Sequence, residues 1–219
     1  MNYKKEIVKA INEISGKYSP YQIFRDWCEM YALAIQNACV LYHGELWNQR
    51  ENTYKGIISK YDEKERDNIL FMSNVLPLIY EEEFTDVLGE IYMESGAGNS
   101  ATGQFFTPFH VSVMMAEMNK SEYTKDGKIE LLEPSCGGGG MIIAIAKTMK
   151  RMGLNYQSKM KVVAQDLDWL SVYMTYIQLS LLGINAIVVQ GDSLGDPFVP
   201  GDYEKRRMMR TPKNTGAIF

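Results

Sequence analysis

The sequence predicts an α/β protein with a helical N-terminal region followed by a partial Rossmann-like sheet of the order β-α-β-α-β. Apolar residues recur at helical spacing from Tyr21 to about Gly89, whereas short apolar runs alternate with helical patterns in the C-terminal half. A glycine-rich turn and acidic residues directly follow those short runs. We therefore expect a helical region over residues 1–100 and an α/β domain over residues 101–219.

The helical region is predicted from one apolar stripe, which includes Phe24, Trp27, Met30, Tyr31, Ala34, Ile35 and Ala38. Aromatic side chains on such helices usually belong to the core, so we interpret Trp27, Tyr31 and Trp47 as core residues rather than ligand contacts. Residues 94–103 are small, polar and rich in glycine, and this composition predicts a loop after the helices.

The α/β domain is predicted from its alternating patterns. Residues 128–133, 161–165 and 186–190 have strand character, and residues 141–149 and 169–182 have helical character. The remaining sequence has room for at most one more strand, for which residues 215–219 are the candidate. Parallel strands joined by right-handed helical crossovers place ligands at their carboxyl ends, so the residues that follow the strands are candidates for a site.

The composition is that of a globular protein, with 219 residues, 46% hydrophobic side chains and a formal net charge of −4. This charge argues against binding nucleic acid through overall charge. A locally basic stretch near the end, which contains Arg207 and Arg210, is either a solvated tail or a phosphate contact. No apolar run is long enough to cross a membrane. The three cysteines lack C-x-x-C spacing and predict neither a metal site nor disulfides. We therefore expect a cytoplasmic protein.

A glycine-rich turn runs from Glu133, at the end of the first predicted strand, to Gly140. Glycines there allow backbone conformations closed to other residues, and the N–H groups of the following helix are available to a ligand. A phosphate-binding Walker loop would need Lys and Ser or Thr after its last glycine, but Met141 and Ile142 stand there. A dinucleotide fingerprint also fails, because its last glycine would fall at Ile142 or Ile143.

Acidic residues follow the second and third predicted strands. Asp166 ends the second strand, where nucleoside-binding sheets place a carboxylate against the ribose hydroxyls. Asp166 is a better candidate for this role than Asp168, which is also suited to be the N-cap of the next helix. Asp192 lies between Gly191 and Ser193 after the third strand. Because parallel strands end at the same edge, we expect these acids to share a site rather than to cap separate turns.

From about Asp86 to Gly195 the sequence resembles the amino-methyltransferases that act on adenine N6 in DNA, and most closely the modification subunits of type I restriction-modification systems. Residues 103–108 are similar to the family's segment that closes over the methionine end of the cofactor, and residues 133–140 are similar to its cofactor loop. Asp166 matches the acidic residue that binds the ribose, and Asp192 matches the acid near the adenine ring.

The resemblance implies S-adenosylmethionine as the cofactor and a Rossmann-like methyltransferase sheet. The implied cofactor-binding residues are Phe105, Thr107, Pro108, Glu133, Pro134, Cys136, Gly137, Gly139, Asp166 and Asp192. The glycine loop and Thr107 would supply donors to the methionine carboxylate, while Phe105 either packs beside the cofactor or seals the core. His110 is expected to be a surface residue rather than a base, and no metal ligand is implied.

The sequence departs from the family at the catalytic motif, in which a polar residue, two prolines and an aromatic residue hold the flipped adenine. Asp196, Pro197 and Phe198 lack the second proline and lie too close to Asp192 for an intervening crossover. We therefore assign no catalytic residue and expect a C-terminally incomplete domain that binds S-adenosylmethionine but is inactive alone. The alternative is a non-catalytic accessory or regulatory module derived from such a methylase, which binds DNA or a partner.

The resemblance also implies DNA as a partner, with Lys205, Arg206, Arg207 and Arg210 as the candidate contacts. In the family's topology the first strand would lie at an open edge of so short a sheet, and unpaired strand edges invite pairing. We expect the C-terminal tail, a second copy of the chain or a separately encoded half to cover that edge.

Overall fold

The computed structural model describes residues 2–98, 106–124, 128–199 and 207–216. Contacts divide these residues into two units. Residues 2–83 and 87–98 form a helical unit, and residues 84–86 together with the described residues from 106 onward form a sheet unit. The domain boundary predicted at residue 100 lies outside the described residues and stays a prediction.

The described residues of the helical unit contain five helices: α1 (Tyr3–Ile14), α2 (Pro20–Ala38), α3 (Glu45–Ile58), α4 (Glu63–Glu82) and α5 (Val87–Glu94). Helix α1 packs on α2, α4 and α5, and it buries Ile7, Ile11 and Ile14 at helical spacing. The amphipathic pattern of α1 therefore explains how the unit forms a core.

The aromatic residues of the helical unit follow the core interpretation only in part. Trp27 is buried and packs edge-on to Phe24, with ring centroids 5.8 Å apart, so this interpretation is confirmed for Trp27. Trp47 instead stacks on His43 with centroids 4.1 Å apart and is only partly buried. Assigning Trp47 to the core was wrong, because Ile57 is the side chain that α3 buries.

From residue 106 onward the sheet unit consists of α6 (Phe109–Met118), a 3-10 turn (Lys120–Thr124), β1 (Ile129–Glu133), α7 (Gly140–Arg151), α8 (Tyr156–Lys159), β2 (Met160–Asp166), α9 (Trp169–Leu181), β3 (Asn185–Gln190), β4 (Arg207–Arg210) and α10 (Pro212–Thr215). Strands β1, β2 and β3 are parallel neighbours. The predicted β-α-β-α-β order is confirmed.

The fourth strand differs from the expectation. Strand β4 pairs antiparallel with β3, whereas Thr215, where the candidate strand was to begin, ends helix α10, and residues 217–219 lie outside the described residues. Arg207 and Arg210 are therefore strand residues and not part of a solvated tail, while Lys205 and Arg206 lie outside the described residues. Because side chains alternate along a strand, Arg207 and Arg210 lie on opposite faces of the sheet.

The sheet has one face covered by helices and one free edge. Right-handed crossovers through α7 and α9 place both helices on the same face. The opposite face carries a small apolar cluster in which Ile187, Val189 and Phe198 are buried. Among the described residues β1 pairs with β2 alone, so its other edge is open there. No helix in the described part of the chain is both long and apolar enough to span a membrane.

Candidate functional site

The glycine-rich loop joins the end of β1 to the start of α7. Gly137 and Gly139 have positive φ angles of 53° and 91°, a region that residues with a side chain rarely adopt. The Gly139 N–H donates to the Cys136 carbonyl at 2.8 Å, and the Ile143 N–H donates to the Gly139 carbonyl at 3.0 Å, which begins helix α7. The first N–H groups of that helix have no acceptor within the helix, so the loop presents them at the carboxyl edge of the sheet.

Asp166, the last residue of β2, contacts this loop directly. Its Oδ2 accepts a hydrogen bond from the Gly137 N–H at 2.8 Å, and its Oδ1 accepts one from the Asp168 N–H at 3.0 Å. A carboxylate offers about four acceptor positions, so its two oxygens can accept further donors. Asp166 can therefore hold the loop and still bind hydroxyl groups of a ligand.

Asp168 caps helix α9. Its Oδ2 accepts the Ser171 N–H at 3.2 Å, which is the hydrogen bond of an N-cap residue. This bond supports the capping role of Asp168 and leaves Asp166 as the candidate for ligand binding at the end of β2.

Asp192 lies beyond the end of β3. Its side chain is exposed, and its Oδ1 accepts the Leu194 N–H at 3.0 Å. Since Asp166 is in register with Gln190 on the parallel strand β3, Asp192 follows at the same edge of the sheet. Glu133, Asp166 and Asp192 thus end or follow three neighbouring strands at one edge.

Glu133 ends β1 and is half-buried, and the exposed turn residue Pro134 follows it. Burial raises the pKa of the Glu133 carboxyl above its ordinary value, and the negative charge of Asp166 raises it further, while a hydrogen bond from the Ser135 N–H at 3.3 Å opposes the rise. Neighbouring carboxylates of this kind favour a positively charged ligand and disfavour a phosphate.

Cys136 is buried beneath the loop. Its N–H donates to the Gln165 carbonyl at 3.0 Å, and its Sγ lies 3.5 Å from the Thr175 hydroxyl oxygen. Burial raises the pKa of the thiol to about 12, so Cys136 is neutral near pH 7 and is not a nucleophile. The side chain is suited to packing under the loop rather than to bond-making chemistry.

The predicted segment before α6 is described in part. Phe105 lies outside the described residues, whereas Thr107 and Pro108 are exposed and Pro108 is the N-cap residue of α6. A Cβ atom built on Gly137 would lie 3.0 Å from Cδ1 of Phe106, so the chain passes the glycine loop immediately before Thr107. His110 is exposed, as the sequence predicted.

Three polar side chains outside the predicted set also contact the loop. Thr175 donates its hydroxyl to the Gly137 carbonyl at 2.8 Å. Gln178 donates from Nε2 to the Gly138 carbonyl at 2.5 Å and to Asp86 Oδ1 at 2.7 Å. Polar residues at helical spacing within the mostly apolar α9 are a sequence signal that could have identified Thr175 and Gln178, whereas Asp86 has no comparable local signal.

The segment that superficially matches the catalytic motif is fixed in the sheet unit. Phe198 is 5% exposed and packs in the apolar cluster with Ile187 and Val189. The Gln165 side chain accepts the Phe198 N–H at 3.0 Å and donates to the Asp196 carbonyl at 3.1 Å. An aromatic ring held in this cluster is not available to stack on a base.

A glycine loop after β1 and carboxylates after β2 and β3 are arranged as in a Rossmann-like domain. The sequence model of the N-6 DNA methylase family matches residues 83–212, more than half of the chain. The chain therefore belongs to the N-6 DNA methylase family. No curated protein sequence matches it.

The solved structures that are similar to the chain include two methyltransferases. One is a Listeria monocytogenes protein assigned as a class I S-adenosylmethionine-dependent methyltransferase, with a TM-score of 0.54 and 11% identity over 90% of this chain and 55% of the other. The second is a type I restriction-modification methyltransferase subunit from Streptococcus thermophilus, with a TM-score of 0.47 and 15% identity over 88% of this chain and 44% of the other. The chain spans about half the length of these structures, and the likeness to the first concerns the fold alone.

Proposed function

We propose that this chain binds S-adenosylmethionine at the carboxyl edge of β1, β2 and β3 as part of a DNA adenine-N6 methylation system. The observation that carries the proposal is the hydrogen bond from the Gly137 N–H to Asp166 at 2.8 Å. This bond joins the Asp166 carboxylate to the glycine loop. The carboxylate still has free acceptor positions, which a ribose diol requires, and the helix after the loop offers N–H groups to the methionine carboxylate.

The residues at this edge would divide the binding of the cofactor among them. The glycine loop and Thr107 would donate to the methionine carboxylate, and Glu133 would face the positive charge of the amino or sulfonium group. Asp166 would accept the ribose hydroxyls, and Asp192 would lie beside the adenine ring. When bound, the cofactor supplies the activated methyl group.

Methyl transfer by these 219 residues alone is not expected. The sequence contains no two adjacent prolines, and Phe198 is buried, so neither the family's motif nor Phe198 is available to hold the adenine amine in line with the methyl group. The catalytic residues would come from another polypeptide segment. The second candidate is therefore a non-catalytic accessory module, which the lack of this motif favours.

DNA and a second protein segment are the proposed partners. Arg207 and Arg210 are exposed but lie on opposite faces of β4, so one DNA backbone would contact one of them and not both. The open edge of β1 is proposed to pair with a second copy of the chain or with a separately encoded half.

Calorimetric titration with S-adenosylmethionine and S-adenosylhomocysteine tests the proposal. Asp166→Asn should weaken binding at least about tenfold, since a hydrogen bond to a charged group contributes about 1.5–3 kcal/mol. Glu130→Gln is the matched control, because Glu130 is an exposed acid near the amino end of β1, away from the carboxyl edge at which Glu133 lies. A folded wild-type chain that binds neither compound would contradict the proposal and favour the accessory module. A tritium-transfer assay on DNA then measures whether the chain alone has activity.

A further inference from the structure

Asp86 is a buried carboxylate that the proposed cofactor contacts do not use. It belongs to the short segment of residues 84–86 that packs with the sheet unit, and it is 4% exposed. Burying a carboxylate is unfavourable unless donors or positive potential compensate its charge. We therefore expect the groups around Asp86 to stabilise its negative charge.

Gln178 connects this carboxylate to the glycine loop. Its Nε2 carries two hydrogens and has two acceptors, Asp86 Oδ1 at 2.7 Å and the Gly138 carbonyl at 2.5 Å. Gln178 is fully buried, so no water competes for either bond. The single amide group thus holds a carboxylate and a main-chain carbonyl of the loop at a fixed separation.

Asp86 also lies against the first turn of helix α7. A Cβ atom built on Gly140 would lie 3.0 Å from Asp86 Oδ2, and one built on Gly138 would lie 3.5 Å from Asp86 Oδ1. The N-terminal end of a helix has a positive potential, so a negative side chain is favourable there. This contact compensates the buried charge and fixes the start of α7 relative to Gln178.

Thr175, one turn before Gln178 on α9, holds the preceding carbonyl of the loop. Its hydroxyl donates to the Gly137 carbonyl at 2.8 Å. In a trans peptide the C=O and the next N–H point in opposite directions, so a Gly137 carbonyl directed at α9 turns the Gly138 N–H away from α9. The Gly138 carbonyl, held in the same way by Gln178, orients the Gly139 N–H toward the Cys136 carbonyl at 2.8 Å.

We propose that Asp86, Thr175 and Gln178 form a carbonyl clamp that positions the glycine-rich loop for the cofactor's methionine end. The three side chains hold two successive carbonyls of the loop inward. This turns the Gly138 N–H away from α9 and keeps the Gly139 N–H in its bond to the Cys136 carbonyl. Their effect on the cofactor rests on the proposed binding of S-adenosylmethionine, whereas their effect on the loop does not. They are positioning residues that act through the loop backbone.

Gln178→Met tests the clamp because methionine keeps the length and volume of glutamine but donates no hydrogen bond. The first readout is amide hydrogen exchange of the ligand-free protein, resolved by residue. Exchange at Gly137 and Gly139, whose N–H groups are each bonded at 2.8 Å, should become at least about tenfold faster, while exchange in β3 stays at the wild-type rate. Gln157→Met is the matched control, since Gln157 also donates to a main-chain carbonyl, that of Leu182 at 3.1 Å.

The second readout compares S-adenosylhomocysteine with 5′-methylthioadenosine, which lacks the amino-acid part. Gln178→Met should weaken the first compound about tenfold or more and the second by less than about threefold, because the loop serves the methionine end. General destabilisation would weaken both compounds equally. The double variant Asp86→Asn/Gln178→Glu restores a side-chain bond between the two positions but leaves the Gly138 carbonyl without its donor, so it should not regain affinity.

Either measurement can overturn the proposal. Wild-type exchange rates at Gly137 and Gly139 in a folded Gln178→Met protein would overturn the clamp, and so would equal weakening of the two compounds. If Gln178→Met does not fold, the double variant is measured in the same way, and full wild-type affinity in it would overturn the clamp. A wild-type chain that binds no S-adenosylhomocysteine would overturn the proposed function, and the exchange rates alone then decide the clamp.

Discussion

Substitutions at Asp168 separate helix capping from cofactor binding at the end of β2. Asp168 Oδ2 accepts the Ser171 N–H at 3.2 Å. Asparagine and aspartate are about equal as N-cap residues, so Asp168→Asn should lower the free energy of unfolding only by the lost charge at the helix N-terminus, about 0.3–1 kcal/mol. Asp168→Ala also loses the cap bond and should cost about 1–2 kcal/mol in total.

The affinity for S-adenosylhomocysteine should follow a different order. Because Asp168 serves the helix, Asp168→Asn should change the affinity by less than about twofold, whereas Asp166→Asn should lower it about tenfold or more. Urea unfolding measures the stability of each variant, and calorimetry measures its affinity. An Asp168→Asn protein with wild-type stability that loses as much affinity as Asp166→Asn would refute the assignment of these two carboxylates.

Three further predictions follow from the burial and hydrogen bonds of single side chains. The buried Thr211 hydroxyl donates to the Ile184 carbonyl at 2.8 Å and accepts the Ala186 N–H at 3.0 Å. Thr211→Val should therefore lower the free energy of unfolding in urea by about 2–4 kcal/mol, whereas Thr215→Val, at an exposed position, should lower it by less than about 0.5 kcal/mol. Equal losses in the two variants would contradict this prediction. Because the pKa of Glu133 is raised in the fold, its protonated form is stabilising, and this stability is lost as pH rises from the ordinary glutamate pKa through the raised one. Glu133→Gln should therefore flatten that part of the thermal stability profile, and a slope as steep as that of wild type would argue against it. Thiol reagents at about pH 8 should modify Cys39 first and should reach the buried Cys28 and Cys136 only after unfolding. Mass spectrometry of the labelled peptides checks this order. Early labelling of Cys136 would show that the loop opens.

The strands and helices that could be predicted from the sequence are those whose patterns are local. The apolar runs of β2 and β3 and the glycine turn before α7 are visible within ten residues of sequence. Asp168 as an N-cap is equally local, since its partner Ser171 is three residues away. Each of these features depends on neighbours in the chain, which is why the prediction succeeded.

The features that were not predicted depend on distant residues. Strand β4 consists of Arg207, two methionines and Arg210, and it is a strand because it pairs with β3. Asp86 lies 92 residues before its partner Gln178, so no window of sequence connects them. Tertiary pairing determines such features, and local propensity does not reveal them.

In the described part of the chain the outer edge of β1 is open, and this edge determines how the proposed second polypeptide would enter the site. Strand β1 ends at Glu133, and the glycine loop begins immediately after it. A strand that paired parallel to β1 would end at the same edge, so the residues following it would emerge beside Glu133 and the loop. An antiparallel strand would bring its beginning there instead. The direction of pairing at this edge thus decides whether the proposed partner would bring the residues that follow its strand, or those that precede it, to the proposed cofactor site.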